Sequence, residues 1–217
     1  MNKEGITVAG NLIADVVYTI DVYPQKGNLT WMRINNLIID LARLDSKIPI
    51  KVSGVVGDDE NGQFIVDSLR EYPNINIEGI VKKGRTAVTF AMTEKESKQR
   101  TFFFDPGTSL EFNEKQIDFK KIKADIFHLE YLLLLGTLDQ PDEDYGTKAA
   151  KVLATAQKYE METSVDMVSE EGNRYQKVVW PALKYTDYCV VNEVEGTGVT
   201  GIQLYDKDGI KEENMRK

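Results

Sequence analysis

The chain has 217 residues, 41% hydrophobic and 29% charged, with a formal net charge of −8. That apolar content supports one sizeable core, and an acidic balance with no long basic run excludes a dedicated nucleic-acid binder while leaving a nucleotide ligand open. One cysteine, Cys189, and one histidine, His128, exclude an internal disulfide and a Cys/His zinc cluster.

The opening "MNKEGITVAG" has no signal-peptide core and enters a strand pattern directly, with residues 6–10 as the first strand. Residues 16–35 are rich in β-branched and aromatic side chains and are interrupted by Pro24 and Gly27, which predicts strand, turn and strand. Leu37–Leu44 has helical spacing, residues 48–57 read as a strand, and residues 61–70 read as a helix, with Asp58 and Asp59 as its caps. Residues 86–93 and Arg100–Asp105 are β-rich and joined by a charged tip, the pattern of a hairpin.

From residue 126 the pattern alternates. Strands are predicted at 126–129, 163–167 and 188–191, and helices at 145–159 and 175–184. Strands alternating with helices imply parallel units with right-handed crossovers. The expected fold is α/β: a doubly wound, mostly parallel sheet with helices on both faces, in one domain over 1–217, with early β-rich insertions too polar on one face for its core. No repeat, low-complexity linker or membrane-spanning stretch interrupts it. A single cysteine fits the cytoplasm.

Ligands of such sheets sit beyond the carboxyl ends of the strands. Those ends carry Asn11 and Asp15 after the first strand, Glu130 after the strand at 126, Asp166 after the strand at 163, and Asn192 and Glu195 after the strand at 188. Carboxylates and amides bind sugar hydroxyls through directed hydrogen bonds, and hard oxygen donors suit Mg²⁺ held through waters. Each position also has a plainer reading. Asp166 can cap a turn, Glu130 can lie on the surface, and His128 reads as a core or edge histidine. Trp31, Trp180 and the phenylalanines of "TFFFD" read as packing.

Several stretches together resemble one family. "VAGNLIAD" (8–15), "SGVVGDDENGQFIVDSL" (53–69), "RTFFFDPGTSLEF" (100–112), "DIFHLEY" (125–131), "TSVDMVSEEG" (163–172) and "VVNEVEG" (190–196) follow the order of motifs in the ribokinase-like (PfkB-type) carbohydrate kinases. The resemblance implies an ATP- and Mg²⁺-dependent kinase acting on a hydroxymethyl group of a sugar or nucleoside. Asn11, Asp15, Asn36 and Glu130 would bind the substrate, and Asn192 and Glu195 would act toward Mg²⁺ and phosphate, with Asp166 and Arg100 as further candidates. Segments 16–35 and 86–104 would form a small β-sheet lid that pairs with a second copy in a homodimer. The alternative on the same scaffold is a non-catalytic sugar- or nucleoside-binding protein.

Two departures from the family pattern stand out. The diglycine before the helix at Leu37–Leu44 is missing from "RINNLIIDLARL", leaving Asn36 as the counterpart of the motif's Asn. The G-A-G-D motif, which carries the family's Asp base, does not occur, and the tail 209–217 reads as the start of a helix. The expectation is a chain resembling the N-terminal two thirds of a kinase, with no catalytic base of its own and inactive alone.

Overall fold

The computed structural model describes residues 4–20, 37–96, 100–170, 172–203, 205–206 and 209–210. Strand β1 (Ile6–Asn11) is buried over nearly its whole length because it has a parallel neighbour on each side and cover on both faces. After a single residue, Leu12, the chain leaves that sheet and begins β2 (Ile13–Ile20), which belongs to a second, smaller sheet. Asp15 therefore lies within a strand, not in a loop after β1.

Helix α1 (Leu37–Leu44) has the predicted bounds, followed by β3 (Ile50–Val56) and α2 (Glu60–Arg70). Of the two aspartates before α2, Asp59 is the cap: its side chain accepts from the Gly62 N–H at 2.8 Å and also from the Thr86 N–H and hydroxyl. The glycines of this stretch are structural. A Cβ on Gly62 would lie 2.1 Å from the Gly57 carbonyl oxygen, so this joint between β3 and α2 closes only without side chains.

Strand β4 (Ile75–Lys82) was not anticipated. It is the outer strand of the main sheet, half exposed, and Glu78 and Lys82 mask its apolar alternation. Next come β5 (Ala87–Glu94) and β6 (Arg100–Asp105), which pair antiparallel as expected, with Phe90 opposite Phe103. β2 joins them by a parallel ladder that sets Asp15 opposite Thr89. The small sheet thus has order β2–β5–β6.

Two 3₁₀ turns lead to β7 (Ile126–Leu132). In a two-residue ribbon, β8 (Pro141–Asp142) pairs with β9 (Gly146–Thr147), and β9 takes the beginning of the helix expected at 145–159. α3 (Lys148–Lys158) starts behind Thr147, whose hydroxyl accepts from the Ala150 N–H at 3.2 Å. After β10 (Glu162–Met167), the helix expected at 175–184 begins as a π-turn at Tyr175–Val179 and continues as α4 (Trp180–Leu183). Pro181, which has no N–H to donate, lies just past this widened turn. β11 (Tyr188–Cys189) is shorter than predicted, and α5 (Glu193–Thr200) follows it. Gly209–Ile210, expected to open a helix, is instead a strand (β13) paired with β12 (Tyr205–Asp206).

The main sheet has six parallel strands in the order β11–β10–β7–β1–β3–β4. Alternation along the strands separates two cores. Val8 and Val52 pack with Ile38 and Ala42 of α1 and Ile65 and Leu69 of α2. Ala9, Phe127, Leu129 and Val165 pack on the other face with Val152 and Leu153 of α3 and Val179 and Ala182 before and within α4. Helices on both faces of a parallel sheet are the doubly wound arrangement expected. β11 forms the opposite edge, where Val190 is 64% exposed and Val191 is 41% exposed.

Candidate active site

The carboxyl ends of β1, β7 and β10 open under the small sheet. A cavity of about 530 Å³ lies there, bordered by Asn11, Glu130 and Tyr131 on the main-sheet side and by Ile13, Asp15, Thr89, Phe102 and Phe104 of the small sheet. Leu134, Met167, Val168, Ser169 and Glu195 complete its described lining. Four of the carboxylates and amides read from the sequence thus converge. Asp166 lies just behind them, with its carboxylate accepting from the Tyr131 N–H at 2.6 Å. Asn36 lies outside the described residues, as do 21–35 of the lid segment. Arg100 pairs with Thr93 through its backbone in β6, and its side chain is outside the described set.

Gly10 makes room for this arrangement. Its φ is 151°, and a Cβ there would come within 2.9 Å of the Glu130 side chain. Beside it, Asn11 turns its Nδ2 to the Leu134 carbonyl at 3.0 Å, which fixes the amide orientation and leaves Oδ1 buried without a partner. Glu130, far from being a surface residue, is 3% exposed. Burial, with the Asp166 carboxylate second, pushes it well above the usual carboxylate range. Asp15 is raised by burial, against a hydrogen bond with Thr89 that favours its charged form.

The end of β7 is conformationally strained. Tyr131 has φ 61° and Leu133 has φ 79°, left-handed values unusual for bulky side chains. Asp166 holds the Tyr131 amide, while Asp139 accepts from the Leu133 and Leu135 amides at 3.2 and 3.1 Å. Arg174 ties this turn down, donating to the Leu133 carbonyl and to Asp139. Such strain next to a cavity is where a scaffold spends stability to aim groups at a ligand.

Asp166 is raised to about 6, first by burial and then by the Glu195 charge, against the Tyr131 hydrogen bond. His128 sits one layer below, with Nδ1 3.0 Å from the Ser164 hydroxyl and Nε2 4.0 Å from Asp166. Burial lowers His128 to about 4, so at neutral pH this is a neutral histidine beside a carboxylate and not an ion pair. It is buried in the core as read, but it is not fully satisfied, since Nε2 has no hydrogen-bond partner.

Asn192 and Glu195 face each other, as their spacing implied, and they bond each other. Asn192 Oδ1 accepts from the Val194 and Glu195 amides, while Glu195 accepts from the Asn192 N–H at 3.0 Å, its Nδ2 at 2.8 Å and the Ser169 hydroxyl at 2.9 Å. This is a capping box on α5 that also sets a buried carboxylate at the cavity wall. Among the described residues, no group of three His, Cys, Asp or Glu side chains is disposed to hold a metal ion.

The phenylalanines read as packing require correction. Phe102 and Phe104 border the cavity, and Phe102 is 60% exposed. Their alternation on β6 (pocket, outside, pocket) was the available signal, but nothing in the sequence told which face bordered the cavity. Thr89, Tyr131 and Ser169 were also missed, and they carry no motif of their own. Trp180 is half exposed and donates its indole N–H to the Val199 carbonyl at 2.7 Å.

No helix among the described residues is long and apolar enough to cross a membrane. No curated protein matches the chain in sequence. Among solved structures, the fold is similar to that of a ribokinase from Giardia lamblia, with a TM-score of 0.74 at 16% identity over 98% of this chain and 64% of that one. It is also similar to Arabidopsis thaliana ribokinase complexed with ribose and ATP, with a TM-score of 0.69 at 16% identity over 99% of this chain and 68% of that one. A fructokinase with bound ATP from Xylella fastidiosa aligns with a TM-score of 0.65 at 20% identity over 86% of this chain and 60% of that one. The chain thus spans 60–68% of the length of these three neighbours. In sequence, the pattern of the pfkB family carbohydrate kinases matches residues 36–214, and the chain belongs to that family.

Proposed function

We propose that the protein transfers the γ-phosphoryl group of ATP to a hydroxymethyl group of a carbohydrate or related substrate, with this chain supplying the acceptor-binding wall. The observation that carries the reading is the convergence of Asn11, Asp15 and Glu130 on one cavity roofed by Phe102 and Phe104. Three oxygen acceptors beneath an aromatic cover suit a hydroxylated ring. They fix it by directed hydrogen bonds, and phosphoryl transfer depends chiefly on such positioning and on charge stabilisation.

ATP enters the reading from the family and from the fructokinase neighbour with bound ATP. For Mg²⁺, Glu195 already accepts three hydrogen bonds, so contact through waters fits this carboxylate better than direct ligation. The ion would neutralise phosphate charge, and Asn192 and Ser169 would hold Glu195 oriented toward it.

The β2–β5–β6 sheet acts as a lid in this reading, excluding water from the reacting phosphate. Its face away from the cavity pairs Phe90 with Phe103, which are 38% and 57% exposed. An apolar pair of this kind supports homodimerisation through the lid. A cytoplasmic enzyme fits the single cysteine.

The test is ATP-dependent phosphorylation of a panel of sugars and nucleosides by the full-length gene product. Turnover on at least one member supports the kinase reading. Binding of such a compound without any phosphorylation would instead support a non-catalytic binding protein.

A further inference from the structure

We infer that Asp139, with Arg174 as its counter-ion, is a positioning residue for the acceptor wall: it fixes the turn at Leu134 whose carbonyl orients the Asn11 amide. Neither residue belongs to the described lining of the cavity, so the role is exerted through Asn11. The inference rests on the kinase reading above and extends it to these two residues.

Leu134 lines the cavity, and its carbonyl accepts from Asn11 Nδ2 at 3.0 Å. That bond commits the donor end of the amide and leaves Oδ1 without a partner among the described residues. The two ends of a carboxamide are nearly equal in size, so a carbonyl free to drift would let the group turn over or swing away. The Leu134 carbonyl therefore has to be held by something other than Asn11 itself.

Asp139 holds it from both sides. Its Oδ1 accepts from the Leu133 amide at 3.2 Å and its Oδ2 from the Leu135 amide at 3.1 Å, so one carboxylate straddles Leu134. Arg174 closes the clamp, donating Nη1 to the Leu133 carbonyl at 3.0 Å and Nη2 to Asp139 at 3.2 Å, while Glu170 steadies the guanidinium at 2.9 Å. The arrangement is costly. Leu133 sits at φ 79°, and the Asp139 side chain is 3% exposed, a charge taken out of water. Burial pushes Asp139 up, against the Leu133 and Leu135 amides and the Arg174 charge. A turn whose only task was to join β7 to α3 could use glycine at the left-handed position and polar residues at the surface. Here the strain and the buried charge both fall on the turn that meets Asn11.

The test uses the full-length protein and two variants. Asp139→Asn keeps the shape and removes one acceptor; Arg174→Ala cuts the clamp from the solvent side and serves if the first does not fold. The Asn11 side-chain amide, assigned in the NMR spectrum by its loss in Asn11→Ala, reads positioning with no substrate present. Its order parameter is expected to be high in the wild type and to fall in both variants. With the best acceptor from the sugar and nucleoside panel, KM is expected to rise roughly tenfold while kcat and the KM for ATP stay within about twofold. Combined with Asn11→Ala, neither variant should lower kcat/KM further, because both act through Asn11. An Asn11 amide that stays ordered in the folded variants, or losses that multiply in the double variants, overturns the proposal. Absence of turnover on every panel member counts against the kinase reading alone, and the Asn11 amide then decides whether the clamp positions it.

Discussion

Asp166→Asn isolates the electrostatic cost of the site. The substitution preserves an oxygen to accept the Tyr131 N–H, so the strained turn keeps its anchor while the charge is removed. In the folded protein, Asp166 is raised from 3.8 to about 6 by burial and by Glu195. A carboxylate raised on folding is penalised when ionised: its folded state binds the extra proton between those values, so stability falls as pH rises through that window. The displacement corresponds to about 3 kcal/mol against the ionised form once pH exceeds the folded value. The side chain is 24% exposed, so this figure is an upper estimate. Wild type and variant are compared by urea unfolding. The variant should be more stable by about 3 kcal/mol at pH 8 and by about 1.5 kcal/mol at pH 5. His128 acts in the opposite sense. Lowered to about 4, it loses stability as pH falls from 6.5, which is why the difference between the two proteins, and not either slope alone, is the readout. A variant equal to or less stable than wild type at pH 8 refutes the reasoning.

Phe103→Glu, which places charge on the exposed Phe90–Phe103 pair, should convert a dimer to a monomer by light scattering without unfolding it; a wild type that is already monomeric contradicts the lid interface. Asp59→Ala removes the α2 cap and the anchor of Thr86 and should cost about 1–2 kcal/mol in chemical denaturation. Gly10→Ala should cost more than about 1 kcal/mol, because it combines a positive φ with a clash against Glu130; a neutral effect would show that β1 and β7 yield there.

The α/β alternation after residue 126 was legible because buried parallel strands and amphipathic helices have distinct periods, although the strand read as 126–129 runs on to Leu132 and so takes in Glu130. β4 was not legible, since an edge strand needs only one apolar side and its charges broke the pattern. Nor did the sequence show that β2 starts at Ile13 and pairs parallel with β5, a long-range ladder with no local turn to announce it. The spacing of Asn192 and Glu195 is that of a helix cap and of the family's N-x-x-E at once. In the folded protein the same two residues form the cap hydrogen bonds and supply the buried carboxylate. Phe102 and Phe104 escaped because aromatic residues in a strand look alike whether they face a core, a ligand or a partner.

The central claim is that the Asn11–Asp15–Glu130 wall holds the phosphoryl acceptor. It is tested most directly by kcat/KM for the best acceptor in full-length protein carrying Asp15→Ala. Loss of a hydrogen-bonded partner for a substrate hydroxyl at a partly buried site predicts a fall of about 100-fold or more, with ATP binding unchanged. Unaltered kcat/KM in the variant would contradict the account.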